Sequence, residues 1–308
     1  MRYTKIVVRL ALTLFTGALL LTGAQPLTSH AATPAGALAG WSIVSSPNHG
    51  TATNDLRGVS CASASFCKAV GFYNAGRVHH TLIGSWNGTT WSIDLSPDKG
   101  WGNNVFGVSC ASVSSCKAVG FYNAGGVHHT LIESWNGVNW SIDPSPNKGT
   151  GYNILDGVSC PPATMSCKAV GYYYNISLGV TKTLIESWNG TTWSIVPSPN
   201  SVSTENILYG VSCHAPDSCQ AVGYNVNSTL IESWNGTTWS IVPSPNSGIG
   251  INLLLSVSCY PAAISCQAVG EYANASLGAY QTLVESWNGA SWSIVPSPNS
   301  GTSDNELM

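Results

Sequence analysis

Four glutamates stand in one setting. Glu133, Glu186, Glu232 and Glu285 each open the run Glu-Ser-Trp-Asn-Gly. Two carboxyl groups facing one cleft about 5–9.5 Å apart can hydrolyse a glycoside, one as acid and one as base or nucleophile. A single acid recurring four times at the same place in a repeat does not make such a pair. A structural role is expected instead, with each carboxylate accepting hydrogen bonds from indole N–H groups or backbone, since a buried charge needs partners.

Two histidine pairs, His79-His80 and His128-His129, raise metal binding. Adjacent residues on a strand point to opposite faces, so neither pair can chelate together in extended backbone. His79 and His128 could meet only across two repeat units, and no metal is expected. Ten cysteines fall into five pairs: Cys61/Cys67, Cys110/Cys116, Cys160/Cys167, Cys213/Cys219 and Cys259/Cys266. Zinc ligands favour about two to four residues between paired cysteines, and these gaps are longer. One pair per repeat in an exported chain predicts five local disulfides, each contributing roughly 2 kcal/mol. No Gly-rich phosphate loop or nucleophile elbow occurs, so no cofactor and no catalytic residue is assigned.

Export is read from the first 31 residues. Arg2, Lys5 and Arg9 precede the apolar run Leu10–Ala24, and Ser29-His30-Ala31 offers small residues for cleavage. The pattern is that of a signal peptide, residues 1–31, followed by a short linker, 32–40. After its removal eight Lys and Arg remain against fourteen Asp and Glu, a net charge near −6. With no basic cluster, nucleic acid is not an expected partner. No later apolar run is long enough to span a bilayer. The expected location is extracellular, and the expected partner an extracellular protein or glycan.

These residues are positioned by a repeat. The first cysteines are spaced by 49, 50, 53 and 46 residues. Each unit holds four short β-type runs, as in YGVSC, CQAVGY, TLIESW and TWSIVP of the fourth copy. Gly, Asn, Ser and Pro separate them, and no helical period is sustained. Four antiparallel strands per unit of this length predict a β-propeller blade. The fold expected is all-β, with about five four-stranded blades near 54–98, 104–147, 153–200, 206–246 and 252–299. The small GVSC strand suits the crowded centre, and the Pro-Ser-Pro-Asn tail suits an outer edge strand. Asn-Gly between the third and fourth runs predicts a tight hairpin of two or four residues. In both, Glu186, Trp188 and Trp193 share one face, and the Trp rings are expected between blades.

The run Trp41–Asn48 copies a fourth strand and is expected as an extra outer strand. Residues 305–308 align with the start of a further repeat. The reading taken is of a truncated longer propeller, with a complete five-bladed ring as its alternative.

Ser-Trp-Asn-Gly-Thr-Thr-Trp at 187–193 resembles the Asp-box, or BNR repeat, of sialidase-like propellers, S-x-D-x-G-x-T-W. It is one residue shorter, with Asn189 at the Asp position. The whole unit, from Trp41 to the C-terminus, is similar to repeats of secreted bacterial proteins described as propeller-like or BNR-like. The resemblance implies architecture, because Asp-boxes are structural even in enzymes. Sialidases hold their substrate carboxylate with three arginines, whereas the mature chain has two, Arg57 and Arg77. Acids at candidate positions for a glycosidase, Asp55, Asp156, Glu205 and Glu271, are scattered over the repeats without an evident pair.

The loops after the second strand and between blades differ most between copies, and divergent loops can carry specificity. They place Tyr73, Asn74, Trp101, Tyr122, Asn123, Tyr152, Tyr174, Asn175, Tyr209, Tyr224 and Tyr272 on one face as candidate ligand contacts. Tyr and Asn suit uncharged contact with sugar or protein. The function expected is a non-enzymatic binding module. A lectin-like propeller and a propeller-type glycoside hydrolase are the alternatives.

Overall fold

The computed structural model describes residues 42–201, 204–260 and 265–307. The expected signal peptide and linker lie outside them. The chain divides into two units, Met1–Ser45 and Ser46–Met308, and every strand among the described residues lies in the second.

Among the described residues there is no helix, and twenty strands form five four-stranded antiparallel sheets. Blade one holds β1 (Asn54–Ser63), β2 (Phe66–Ala75), β3 (Val78–Trp86) and β4 (Trp91–Asp94). Blade two holds β5 (Trp101–Ser112), β6 (Ser115–Ala124), β7 (Val127–Trp135) and β8 (Trp140–Asp143). Blade three holds β9 (Asn153–Ser159), β10 (Cys167–Asn175), β11 (Val180–Trp188) and β12 (Trp193–Val196). Blade four holds β13 (Ile207–Ala215), β14 (Ser218–Asn225), β15 (Ser228–Trp234) and β16 (Trp239–Val242). Blade five holds β17 (Asn252–Tyr260), β18 (Ser265–Asn274), β19 (Ala279–Trp287) and β20 (Trp292–Ile294). In each sheet the strands pair in chain order, as the turn-separated β runs predict. This is the expected all-β propeller architecture.

First strands meet at the centre: β1 packs on β5, β5 on β9, β9 on β13 and β13 on β17. The glycine before Val-Ser-Cys permits this approach. A Cβ on Gly58 would lie 2.7 Å from the carbonyl oxygen of Phe106, and one on Gly157 equally close to that of Tyr209. The cysteine pairs close within each blade, with Cys61 opposite Cys67 and Cys213 opposite Cys219 in register.

Each hydrophobic core lies between two blades. One blade contributes two branched residues and the next contributes a socket. Val70 and Ile83 of blade one enter a socket of Val105, Val108, Cys110, Cys116, Ala118, Leu131 and Trp140 in blade two. The three following boundaries repeat the arrangement.

The hairpin between third and fourth strands has the four-residue form. Trp188 pairs with Trp193, with ring centroids 5.6 Å apart. Asn189 is not in a left-handed conformation. Its side-chain oxygen instead accepts from the N–H of Thr191 and Thr192, both at 2.9 Å, and Gly190 takes φ 99°. The Asn therefore acts as a side-chain cap of the turn.

Ser42–Asn48 forms no strand and is exposed throughout, contrary to the expected extra outer strand; Trp41 lies outside the described residues. A fourth strand needs a third strand beside it, and among the described residues no strand pairs with this run. At the other end Asn305 Oδ1 accepts from Ser300 N at 2.8 Å. The same clamp recurs before every blade, from Asn54 with His49 (2.7 Å) to Asn252 with Ser247 (2.7 Å).

Candidate functional site

The four repeated glutamates belong to the scaffold. Glu133, Glu186, Glu232 and Glu285 have no exposed surface. Their hydrogen-bond partner is not the expected indole or backbone group but the serine of the preceding blade's Ser-Pro tail. Ser145 Oγ donates to Glu186 at 3.0 and 3.1 Å, Ser198 to Glu232 at 3.0 and 2.9 Å, and Ser244 to Glu285 at 3.0 and 2.9 Å. Burial raises Glu133, Glu186 and Glu232 to about 8 and Glu285 to about 7. The serine bonds only partly offset this.

The tryptophans also join blades. Trp140, Trp193, Trp239 and Trp292 are buried as expected, while Trp188 and its equivalents are half-buried. Lys68 and Lys117 lie 3.6 and 3.7 Å from the ring centres of Trp135 and Trp188 in the next blade. Lys117 Nζ sits 2.6 Å from Asp143 Oδ2, which also accepts from Trp193 Nε1 at 3.2 Å. A desolvated ammonium over an indole face, paired with a carboxylate, is a strong local clamp.

With these groups assigned to packing, the unexplained chemistry collects on the divergent-loop face. A cleft of about 710 Å³ opens between blades one and two, lined by Arg57, Phe72, Arg77, His79, Trp101, Asn104, Phe106, Phe121, Asn123 and His128 among others. Arg57 and Arg77 are the only arginines among the described residues, and both face this cleft. The Arg57 guanidinium lies 5.4 Å from the Phe72 ring centre and 5.2 Å from that of Phe106. It also pairs with Asp55 at 3.1 Å. Phe72 stacks on His79 at 4.3 Å and Phe121 on His128 at 4.1 Å. His79 Nδ1 contacts Asn104 Oδ1 at 2.9 Å. Burial, and secondarily the neighbouring His129, hold His128 below the usual imidazole range. Trp101 leaves 73% of its surface open beside this stack.

Arg77 has a further peculiarity. It ends the β2–β3 turn with φ 71°, after Gly76 at 57°. The equivalent turn of blade two carries Gly125 and Gly126 at 61° and 82°. The turn demands left-handed backbone twice, which glycine adopts freely and arginine at a cost of about 1–2 kcal/mol.

The anticipated contact residues do not form one group. Trp101 and Asn123 line the cleft. Tyr73 stacks between His49 (3.9 Å) and His80 (5.2 Å), and Asn74 Oδ1 is closed to solvent. Tyr122 packs against His129, with Lys99 over its ring. Tyr152 stacks on Tyr174 at 5.2 Å and meets Thr181 Oγ1 at 3.2 Å. Asn175 caps the β10–β11 turn through Leu178 N. Tyr209 and Tyr224 stack at 6.1 Å, and Tyr272 packs into the core between blades four and five.

A second polar centre surrounds Asp156. Its Oδ2 is closed to solvent, and burial raises it to about 8 against the pull of Arg57. Burial and then the Asp156 carboxylate raise Tyr209 to about 12 and Tyr172 further still. Burial likewise raises Glu271 to about 7. Asp55 is held by Arg57. Arg57, Arg77, Phe72, Phe106, Phe121, His79, Asn104 and His128 were not among the expected contacts. The one sequence signal pointing to them is Arg77 in a turn where the sister repeat has glycine.

No known protein family matches the chain, and no curated protein does. Among solved structures it is similar to YjhT, with 10% identity and a TM-score of 0.51 over 80% of this chain and 85% of that one. It is similar also to the GH74 xyloglucanase from Xanthomonas campestris, with 12% identity and a TM-score of 0.50. That match covers 79% of this chain but only 38% of the xyloglucanase. A third likeness is to YCF48 bound to D1 peptide, with 12% identity, a TM-score of 0.48, and 79% and 68% of the two chains covered. At such identities the likeness to YjhT and the xyloglucanase carries the fold alone, and with the five four-stranded sheets the conclusion it supports is that this chain is a β-propeller protein.

Proposed function

We propose that the protein is an exported, non-enzymatic binding module that engages an extracellular protein or glycan through the cleft between blades one and two. The observation that carries this reading is Arg77. A scaffold turn that works with Gly126 one blade later has no structural need of an arginine in a strained conformation, and such strain concentrates at functional positions. The cleft around it supplies donors from Arg57, Arg77 and Asn123 beside the open Trp101 ring. It therefore suits a ligand presenting acceptor oxygens next to an apolar surface. Five disulfides are consistent with an oxidising compartment. The Asn189 turn takes the place of the Asp in an Asp-box hairpin, and we assign it as a variant of that structural motif.

Binding should be measured with the purified mature chain on a glycan array and against extracellular peptides, then repeated with Arg77→Gly. A ligand bound by the wild type and lost in the variant supports the reading. Equal binding by both would refute it. Hydrolysis products in the array eluate would instead support the glycosidase alternative.

A further inference from the structure

Every first strand bulges at the same step. Arg57, Phe106, Asp156, Tyr209 and Leu255 each stand between two residues that pair with consecutive residues of the second strand, so they have no partner there. A bulge bends its strand and re-aims one side chain. On either side the scaffold barely changes between copies. Leu or Val precedes the bulge, and glycine follows it in blades one to four. The bulge residue itself differs in every blade.

Close packing sets these residues side by side. The tight approach at Gly58 and Gly157 recurs at Gly107, where a Cβ would meet the Asp156 carbonyl oxygen at 2.8 Å. The oxygen met is in each case that of the next blade's bulge residue: Phe106, Asp156 and Tyr209. Consecutive first strands therefore touch at the bulge, and Arg57, Phe106, Asp156 and Tyr209 follow one another across four blades. Their side chains interact along this row. The Arg57 guanidinium lies 5.2 Å from the Phe106 ring centre, and its charge reaches Asp156 two blades away. The Asp156 carboxylate acts in turn on Tyr209. The residue after Ala-Val-Gly backs each aromatic: Phe106 meets Phe121 at 5.7 Å, and Tyr209 meets Tyr224 at 6.1 Å.

Free variation at a solvent-facing position does not account for Asp156. The residue is half-buried, yet its Oδ2 is closed to solvent and has no hydrogen-bond partner among the described residues. A buried oxygen without a partner is costly, so an acid kept there calls for a role outside packing. Arg57 and Phe106 line the cleft, and Asp156 and Tyr209 hold the equivalent places in the two blades that follow.

We propose that the four bulge residues form the floor of a saccharide-binding site, with Asp156 and Tyr209 as ligand contacts that extend the cleft toward blade four; this rests on the cleft being the binding site. A sugar ring carries hydroxyls that both donate and accept, and an apolar C–H face. The row offers the matching series of guanidinium donors, an aromatic face, a carboxyl group and a phenol hydroxyl. The cleft volume of about 710 Å³ lies within the roughly 300–1,000 Å³ of pockets that hold a single small ligand.

Defined oligosaccharides, neutral and uronic, should be titrated by calorimetry against the mature chain and its Asp156→Asn, Tyr209→Phe and Arg77→Gly variants. The expected result is a saccharide bound by the wild type and held about tenfold or more weakly by Asp156→Asn and Tyr209→Phe, with Tm unchanged or raised. Tyr209→Phe keeps its ring against Tyr224, so it remains informative should Asp156→Asn fold poorly. Monodeoxy analogues of that saccharide supply a readout that packing would not move. One of them should bind the wild type as weakly as the parent sugar binds Asp156→Asn, with no further loss in that variant. A saccharide lost by Arg77→Gly yet bound at full strength by both floor variants overturns the inference and leaves the cleft reading standing. So does a wild type that binds extracellular peptides and no saccharide. A wild type that binds neither overturns both.

Discussion

Ser145 Oγ lies 3.0 and 3.1 Å from the two carboxyl oxygens of Glu186, across the boundary between blades two and three. The contact joins residues of different repeats, and its counterparts join Ser198 to Glu232 and Ser244 to Glu285. Each carboxyl is raised by burial, to about 8 for Glu186 and Glu232 and about 7 for Glu285. The folded protein therefore holds more protons than the unfolded chain between the ordinary glutamate pKa and those raised values. Stability then falls as pH rises through that window and levels off above it. Thermal unfolding from pH 5 to 9 should show a steadily decreasing Tm. Glu186→Gln should flatten part of the slope, by of order 3 kcal/mol between the extremes. A Tm that climbs over this range would contradict buried, protonated glutamates.

The buried cation clamp should be asymmetric between blades. Lys117 is matched by Asp143 at 2.6 Å. Lys168 occupies the same place, but Val196 stands where blade two has Asp143, and burial lowers the Lys168 pKa. Asp143→Val should cost about 3–5 kcal/mol in urea unfolding, because it strands a buried charge. Lys168→Gln, which copies Gln220 of the next blade, should be neutral or stabilising.

The two tryptophans of a hairpin should also differ. Trp193 is 6% exposed and sits in a core, so Trp193→Ala should cost about 3–5 kcal/mol. Trp188 is half-buried, with Lys117 above its ring. Trp188→Ala should cost less. Equal losses in denaturant titrations would mean that both rings carry the same packing.

Arg77→Gly separates stability from recognition. Removing a side chain from a left-handed position should raise stability by about 1 kcal/mol, read as a higher unfolding midpoint. Ligand retention should fall in the same variant. A variant less stable than wild type would show that the arginine supports the turn rather than the cleft.

Peptide mapping without reduction should recover Cys61–Cys67, Cys110–Cys116, Cys160–Cys167, Cys213–Cys219 and Cys259–Cys266, with no bridge between blades. Free thiols or cross-blade peptides would break the stapled inner hairpin.

By itself the sequence determined the repeat, the four-stranded unit, the local disulfides and the shared face of Glu186, Trp188 and Trp193. Each follows from short-range rules: alternation along a strand, turn residues between strands, and cysteines a few residues apart. Tertiary structure decided what meets across a blade boundary. Ser145 and Glu186 lie 41 residues apart, and nothing in either local pattern says that a tail serine reaches the next blade's carboxyl. The same limit hid the cleft. Trp101 and Asn123 were legible as loop aromatics and amides, but Arg57 and Phe106 come together only because first strands crowd at the centre. Strand alternation assigns a side chain to one of two faces. Which residue stands opposite it depends on how consecutive blades are rotated, and that is settled by close packing of Val, Ile, Leu and Trp between them.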